Sequence, residues 1–162
     1  MPLGTPKRRM PIPEDVRDFL ADLLGKPVSV SKATRIDLEE EPESFVTGVY
    51  VEDDGKLGGA CIAGLTFAAS AGAALAMMPV VVAKEAISAG ELPESLHDNF
   101  YEVANIMSSI LNGPSVPHLR ITSLVPGIPD EVRTLAANAA GRKHYDVTIV
   151  DYVDGKMVLL AA

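Results

Sequence analysis

A single cysteine, no tryptophan and an aromatic content of only 5% describe a chain of 162 residues that cannot staple itself together. One thiol forms no disulfide within the chain, so a packed core has to supply the stability, and a reducing cytoplasm is the expected setting. Cys61 itself stands in the apolar run GGACIAGL, residues 58–65, where a small buried hydrophobe is expected rather than a nucleophile. Positive charge is also scarce, with 14 Lys and Arg against 22 Asp and Glu and a net charge of −8. Binding to a phosphate backbone needs a basic face, which argues against nucleic acid as a partner and against an anionic membrane surface. Long runs of large aliphatics are missing as well. Residues 57–83 include an uncharged stretch up to Lys84, but Ala and Gly dominate it and Thr66, Ser70 and Pro79 interrupt it. A buried strand followed by a buried helix explains it better than a membrane span.

Motifs for several chemistries are absent. There is no Gly-rich loop ending in Lys-Ser or Lys-Thr, no strand-bound Gly-x-Gly-x-x-Gly and no Gly-x-Ser-x-Gly. His97, His118 and His144 fall in three different elements without ligand-like spacing, so no metal site is expected. Residues 1–12 carry charge but no apolar h-region and read as a flexible N-terminal leader before a single domain, 13–162.

What is present has clear periodicity. Val16, Phe19, Leu20, Leu23 and Leu24 recur at helical spacing between Pro13 and the stop signals Gly25 and Pro27. Residues 28–38 alternate like a strand and run into the acidic loop EEEPE, 39–43. Two β-rich runs flank Asp54-Gly55, a strong hairpin signal. A small-residue helix follows at 68–78, and a second helix is predicted with Pro79 in its first turn. After a helix over about 93–112 come a strand at 118–125, a short helix from Asp130 and two closing strands expected to turn about Asp154-Gly155. Asp-Gly-Lys thus occurs twice, at 54–56 and 154–156, which permits an internal repeat.

The stretch HDNFYEVANIMSSILN, residues 97–112, carries two stripes. At about 100° per residue, Leu96, Phe100, Val103, Met107 and Ile110 form an apolar row, and Asp98, Glu102, Asn105, Ser109 and Asn112 form a polar row roughly opposite. A polar row opposite a core row is what a surface helix ordinarily shows. Here it lacks the Lys or Arg that would form intrahelical ion pairs, and it holds Asn105, an indifferent helix former, in mid-helix.

Asp98, Glu102 and Asn105, separated by three and then two residues, resemble the Asp/Ser, Glu, Asn signature of the CheC/CheX/FliY class of chemotaxis phosphatases, which remove phosphate from the response regulator CheY. The order of elements over 14–126 is similar to that of single-signature CheX-like members. This resemblance implies an α/β (α+β) domain with an antiparallel sheet backed by long helices and internal pseudo-symmetry. It implies that Asn105 orients the attacking water and Glu102 pairs with the partner's lysine, with Asp98 and Ser109 at the edge of the contact. The expected partner is a phosphorylated CheY-like receiver domain that supplies its own Mg, so this chain needs no cofactor or metal, and a homodimer is implied by some relatives. Ala104 stands where the family commonly carries Gly. The alternatives are a non-catalytic binding module of a chemotaxis, motility or signalling complex using the same helix face, and a small-molecule binding domain.

Overall fold

The computed structural model describes residues 8–162. Helix α1 (Pro13–Leu24) buries Val16, Leu20 and Leu24, opens with the Asp15 carboxylate accepting from the Ile12 N–H at 3.1 Å, and stops at Gly25 in the left-handed region. The chain continues through β1 (Val28–Lys32), the hairpin β2 (Phe45–Val51) and β3 (Leu57–Gly64), and three successive helices, α2 (Leu65–Leu75), α3 (Val80–Ala89) and α4 (Glu94–Met107). It ends with β4 (Arg120–Pro126), α5 (Asp130–Asn138), β5 (Gly141–Ile149) and β6 (Gly155–Ala161).

The six strands form one sheet in the order β1-β5-β6-β3-β2-β4, with every neighbouring pair antiparallel. Exchanging β1 with β4, β2 with β5 and β3 with β6 leaves this order unchanged. Each half contributes a helix, a strand and a hairpin: α1, β1 and β2–β3, then α4, β4 and β5–β6. The lone strand of each half crosses to the other half's hairpin, β1 onto β5 and β4 onto β2, while β3 and β6 join the halves. The expected pseudo-symmetry is therefore present in the topology.

Both faces of the sheet are covered, which explains why β2 is buried along its whole length. On one face, Val16 and Leu20 of α1, Phe67 of α2 and Phe100 of α4 pack on Tyr50, Cys61, Tyr145 and Leu159. On the other, Ile36, Leu38, Val132 and Ala136 pack on Val49, Ile62, Val158 and Leu160. The small residues of α2 allow close approach from several sides: a Cβ at Gly72 would stand 3.0 Å from the Leu96 carbonyl of α4, and Ala69 and Ala73 meet Ala83 and Ala86 of α3.

Four details differ from the sequence reading. The strand pattern read over 28–38 ends at Lys32, and Ile36 and Leu38 pack from the irregular segment that follows. Of the leader expected at 1–12, residues 1–7 lie outside the described residues, but the remainder is packed. Met10 and Pro11 are buried, the Tyr145 hydroxyl donates to the Pro11 carbonyl at 2.6 Å, and the Arg8 guanidinium donates to the carbonyls of Leu111 and Pro117. The helix expected to reach Asn112 ends at Met107 and tightens into a 3-10 turn over Ser108–Ile110. Gly155 lies within β6 rather than at a turn; the reversal runs through residues 150–154, with Asp151 at φ 69°. Among the described residues, no helix is long and apolar enough to cross a membrane.

Candidate functional site

The inner side of α4 is fixed by Leu96, Phe100, Val103, Ala104 and Met107, all buried. Phe100 meets Phe67 edge to face, with ring centroids 5.7 Å apart. This leaves Asp98 and Glu102 exposed and Asn105 half-buried on the outer side of α4, with Ser109 exposed in the 3-10 turn that follows it. Asn112 does not join them. Its side-chain amide donates to the Leu119 carbonyl at 3.0 Å and accepts from the Leu119 N–H at 2.8 Å, closing the loop that leads into β4.

The backbone beneath Glu102 and Asn105 is tied to the sheet. As the helix tightens at Ser108, the buried Tyr50 hydroxyl of β2 donates to the Ala104 carbonyl, and the Ser108 hydroxyl donates to the Asn105 carbonyl at 2.7 Å. The Ala104 methyl turns towards β2, where a Cβ at Gly48 would come within 3.3 Å of it. Gly48 thus leaves room for Ala104, and the outer face is unaffected by the extra methyl. Nearby, His97 Nε2 lies 2.9 Å from the Leu124 carbonyl, linking α4 to β4, and its Nδ1 is 3.6 Å from Asp98.

Glu102 and Asn105, three residues apart, project about 60° from each other around the helix and about 4.5 Å apart along it. Among the described residues no cation lies within ion-pair distance of Glu102, and no side-chain hydrogen bond occupies the Asn105 amide. A carboxylate and an amide held side by side with free valences can together grip a cation and orient a water. Ile106 is exposed beside them, an apolar contact that the two-row pattern missed because it belongs to neither row.

Other reactive groups are quieter. Burial pushes the Cys61 thiol up to about 12, so it stays protonated at neutral pH beneath α4, 3.8 Å from the Met107 sulfur. Among the described residues, no group of three or more His, Cys, Asp and Glu is placed to hold a metal ion.

His144 on β5 is pulled down to about 4 by burial and by Arg142 and Arg35 nearby. The unfolded chain therefore takes up a proton that the folded chain refuses, so folding stability should decline as pH falls from about 6.5 towards 4. With the ring's partial exposure discounted, the loss should be about 1–2 kcal/mol. Urea unfolding at pH 7 and pH 4.5 should show this decline in the wild type and a correspondingly flatter pH dependence in His144→Asn.

No protein-family model matches the chain, and no curated protein matches it. Solved structures do. Thermotoga maritima FliY is 12% identical with a TM-score of 0.56, the match covering 90% of this chain and 81% of that one. The H. pylori FliM middle domain is 10% identical with a TM-score of 0.52, covering 92% and 84%. The H. pylori FliG–FliM complex gives 10%, 0.54, 92% and 85%. At such low identity the likeness is one of architecture. The chain has the CheC/CheX/FliM-middle-domain fold.

Proposed function

We propose that the outer face of α4 docks on a phosphorylated CheY-like receiver domain and promotes hydrolysis of its aspartyl phosphate. The observation that carries this reading is the outward, unpaired placement of Glu102 beside Asn105 on a helix whose backbone is pinned to the sheet. An acyl phosphate is already labile, so hydrolysis needs a water held in line with phosphorus and stabilisation of charge more than it needs a nucleophile from the protein. The Asn105 amide would orient the water and Glu102 would pair with the receiver's lysine. Asp98 and Ser109 would contact the rim of the receiver's site. The Mg ion would be the receiver's own, and the encounter would take place in the cytoplasm.

Purified protein mixed with a phosphorylated receiver and Mg should speed phosphate release. Glu102→Ala and Asn105→Ala should each reduce that acceleration by about 10- to 100-fold. If the wild type accelerates release from none of a panel of receivers, the catalytic reading is lost. A second reading is a non-catalytic binding module of a chemotaxis or motility complex that uses the same face. It is favoured by the likeness to FliM in the FliG–FliM complex. Receiver binding without phosphate release, weakened by the same two substitutions, would select it.

A further inference from the structure

On the sheet face opposite α4, a cavity of about 430 Å³ lies between residues 35–39, α5 and the start of β5. Three of the chain's seven arginines, Arg35, Arg133 and Arg142, line it, and Ile36, Leu38 and Ala136 supply apolar wall. Asp37 and Glu39 line it as well, and three arginines against two carboxylates leave it one positive charge over. The Asp37 carboxylate accepts from the Glu39 N–H at 2.8 Å, and Glu39 is a loose partner of Arg133 at 3.5 Å, with the carboxylate mostly in solvent. Among the described residues, no carboxylate lies within ion-pair distance of Arg35 or Arg142.

The hydrogen bonding is short of acceptors as well. Arg142 donates only to neutral groups: the Ala136 and Ile36 carbonyls, each at 3.2 Å, and His144 Nε2 at 3.0 Å. The Ile36 N–H already donates to His144 Nδ1 at 2.9 Å. A neutral imidazole has one acceptor nitrogen and one N–H, so it cannot accept from both. The Nε of Arg133 is buried without a partner. Cationic donors thus outnumber acceptors around a cavity within the size range of small-molecule sites, in a chain whose net charge is −8.

We infer that this cavity binds a small phosphate monoester, its phosphate held by Arg35 and Arg142 and its organic part lying on Ile36, Leu38 and Ala136. Two guanidiniums without carboxylate partners match a dianion better than a single carboxylate, and the apolar wall gives a reason to prefer an ester over inorganic phosphate. The inference stands apart from the reading of α4, which occupies the other face.

The test is a titration of the isotope-labelled chain with phenyl phosphate, inorganic phosphate and benzoate at constant ionic strength, followed by amide chemical shifts. Phenyl phosphate should give saturable shifts in residues 35–39 and 133–142, and should bind about 10-fold more tightly than either of the other two. Arg35→Gln, at an exposed position, should weaken it by about 10-fold while leaving the rest of the spectrum folded. Absence of saturable shifts through the millimolar range would overturn the inference. So would equal binding of benzoate or inorganic phosphate, or phenyl phosphate binding unchanged in a folded Arg35→Gln. Tighter binding of a phosphoserine peptide at the same residues would overturn the small-molecule assignment in favour of a protein-borne phosphate.

Discussion

Replacing Phe100 with alanine is expected to remove about 3–5 kcal/mol of folding stability. Phe100 is fully buried at the centre of α4's inner row and stands edge to face on Phe67 of α2. Truncation leaves a hole whose walls cannot readily collapse, because α2 presents Ala68, Ala71 and Gly72 rather than long side chains. The aromatic pair is lost in addition, which is worth about 0.5–1.5 kcal/mol beyond its area. Since whole domains are stable by only about 5–15 kcal/mol, such a variant should be close to unfolding, with its Tm lowered by roughly 6–20 °C. Glu102→Ala, two residues further along the same helix but exposed, should change stability by no more than about 0.5 kcal/mol. Denaturant unfolding of the two variants distinguishes the rows directly. If Glu102→Ala destabilised the chain as much as Phe100→Ala, its carboxylate would be part of the fold rather than free for a partner.

The parts of this molecule that were legible in its sequence are those whose cause is local. Helix α1 announces itself through Val16, Leu20 and Leu24 and the glycine that ends it; the β2–β3 hairpin does so through Asp54-Gly55; and the two rows of α4 place Glu102 and Asn105 outside and Phe100 inside. Most of what escaped depends on contacts remote in sequence, and the rest on a helix that ends sooner than its pattern does. Met10 and Pro11 look like part of a loose leader until Tyr145, 134 residues beyond Pro11, supplies a hydrogen bond to the Pro11 carbonyl. Asn112 looks like a continuation of the polar row, yet the helix has already tightened and its amide is spent on Leu119. The departure at Ala104 is accommodated by Gly48 on a strand more than fifty residues away. Likewise Arg35, Arg133 and Arg142 share no spacing and meet only because β1 pairs with β5, which brings the segment after β1 beside His144 and the end of α5.

The repeated Asp-Gly-Lys shows why identical short sequences have to be judged in three dimensions, and it leads to the other large effect expected. In the first copy, Gly55 turns the β2–β3 hairpin at φ 87°, and a Cβ there would meet nothing within 4 Å. Alanine at 55 should therefore cost only the strain of a left-handed backbone, about 1–2 kcal/mol. In the second copy, Gly155 opens β6 opposite Val147, and a Cβ there would sit 2.6 Å from the Phe67 backbone nitrogen and 2.7 Å from its Cα. Those atoms belong to the first turn of α2 and cannot swing away as a side-chain tip could. Gly155→Ala must push α2 off the sheet, and about 2–4 kcal/mol of stability should go with it. Urea unfolding of the two alanine variants should rank 155 well below 55; equal losses would mean that close approach of α2 is not what requires glycine in β6. The displacement should also reach the proposed docking face, because Phe67 carries the edge-to-face contact with Phe100 on α4. Gly155→Ala should then weaken receiver binding even though every residue on the outer side of α4 is retained. Shortening Phe67 to leucine, which breaks the same contact without moving the α2 backbone by force, should reproduce part of that loss.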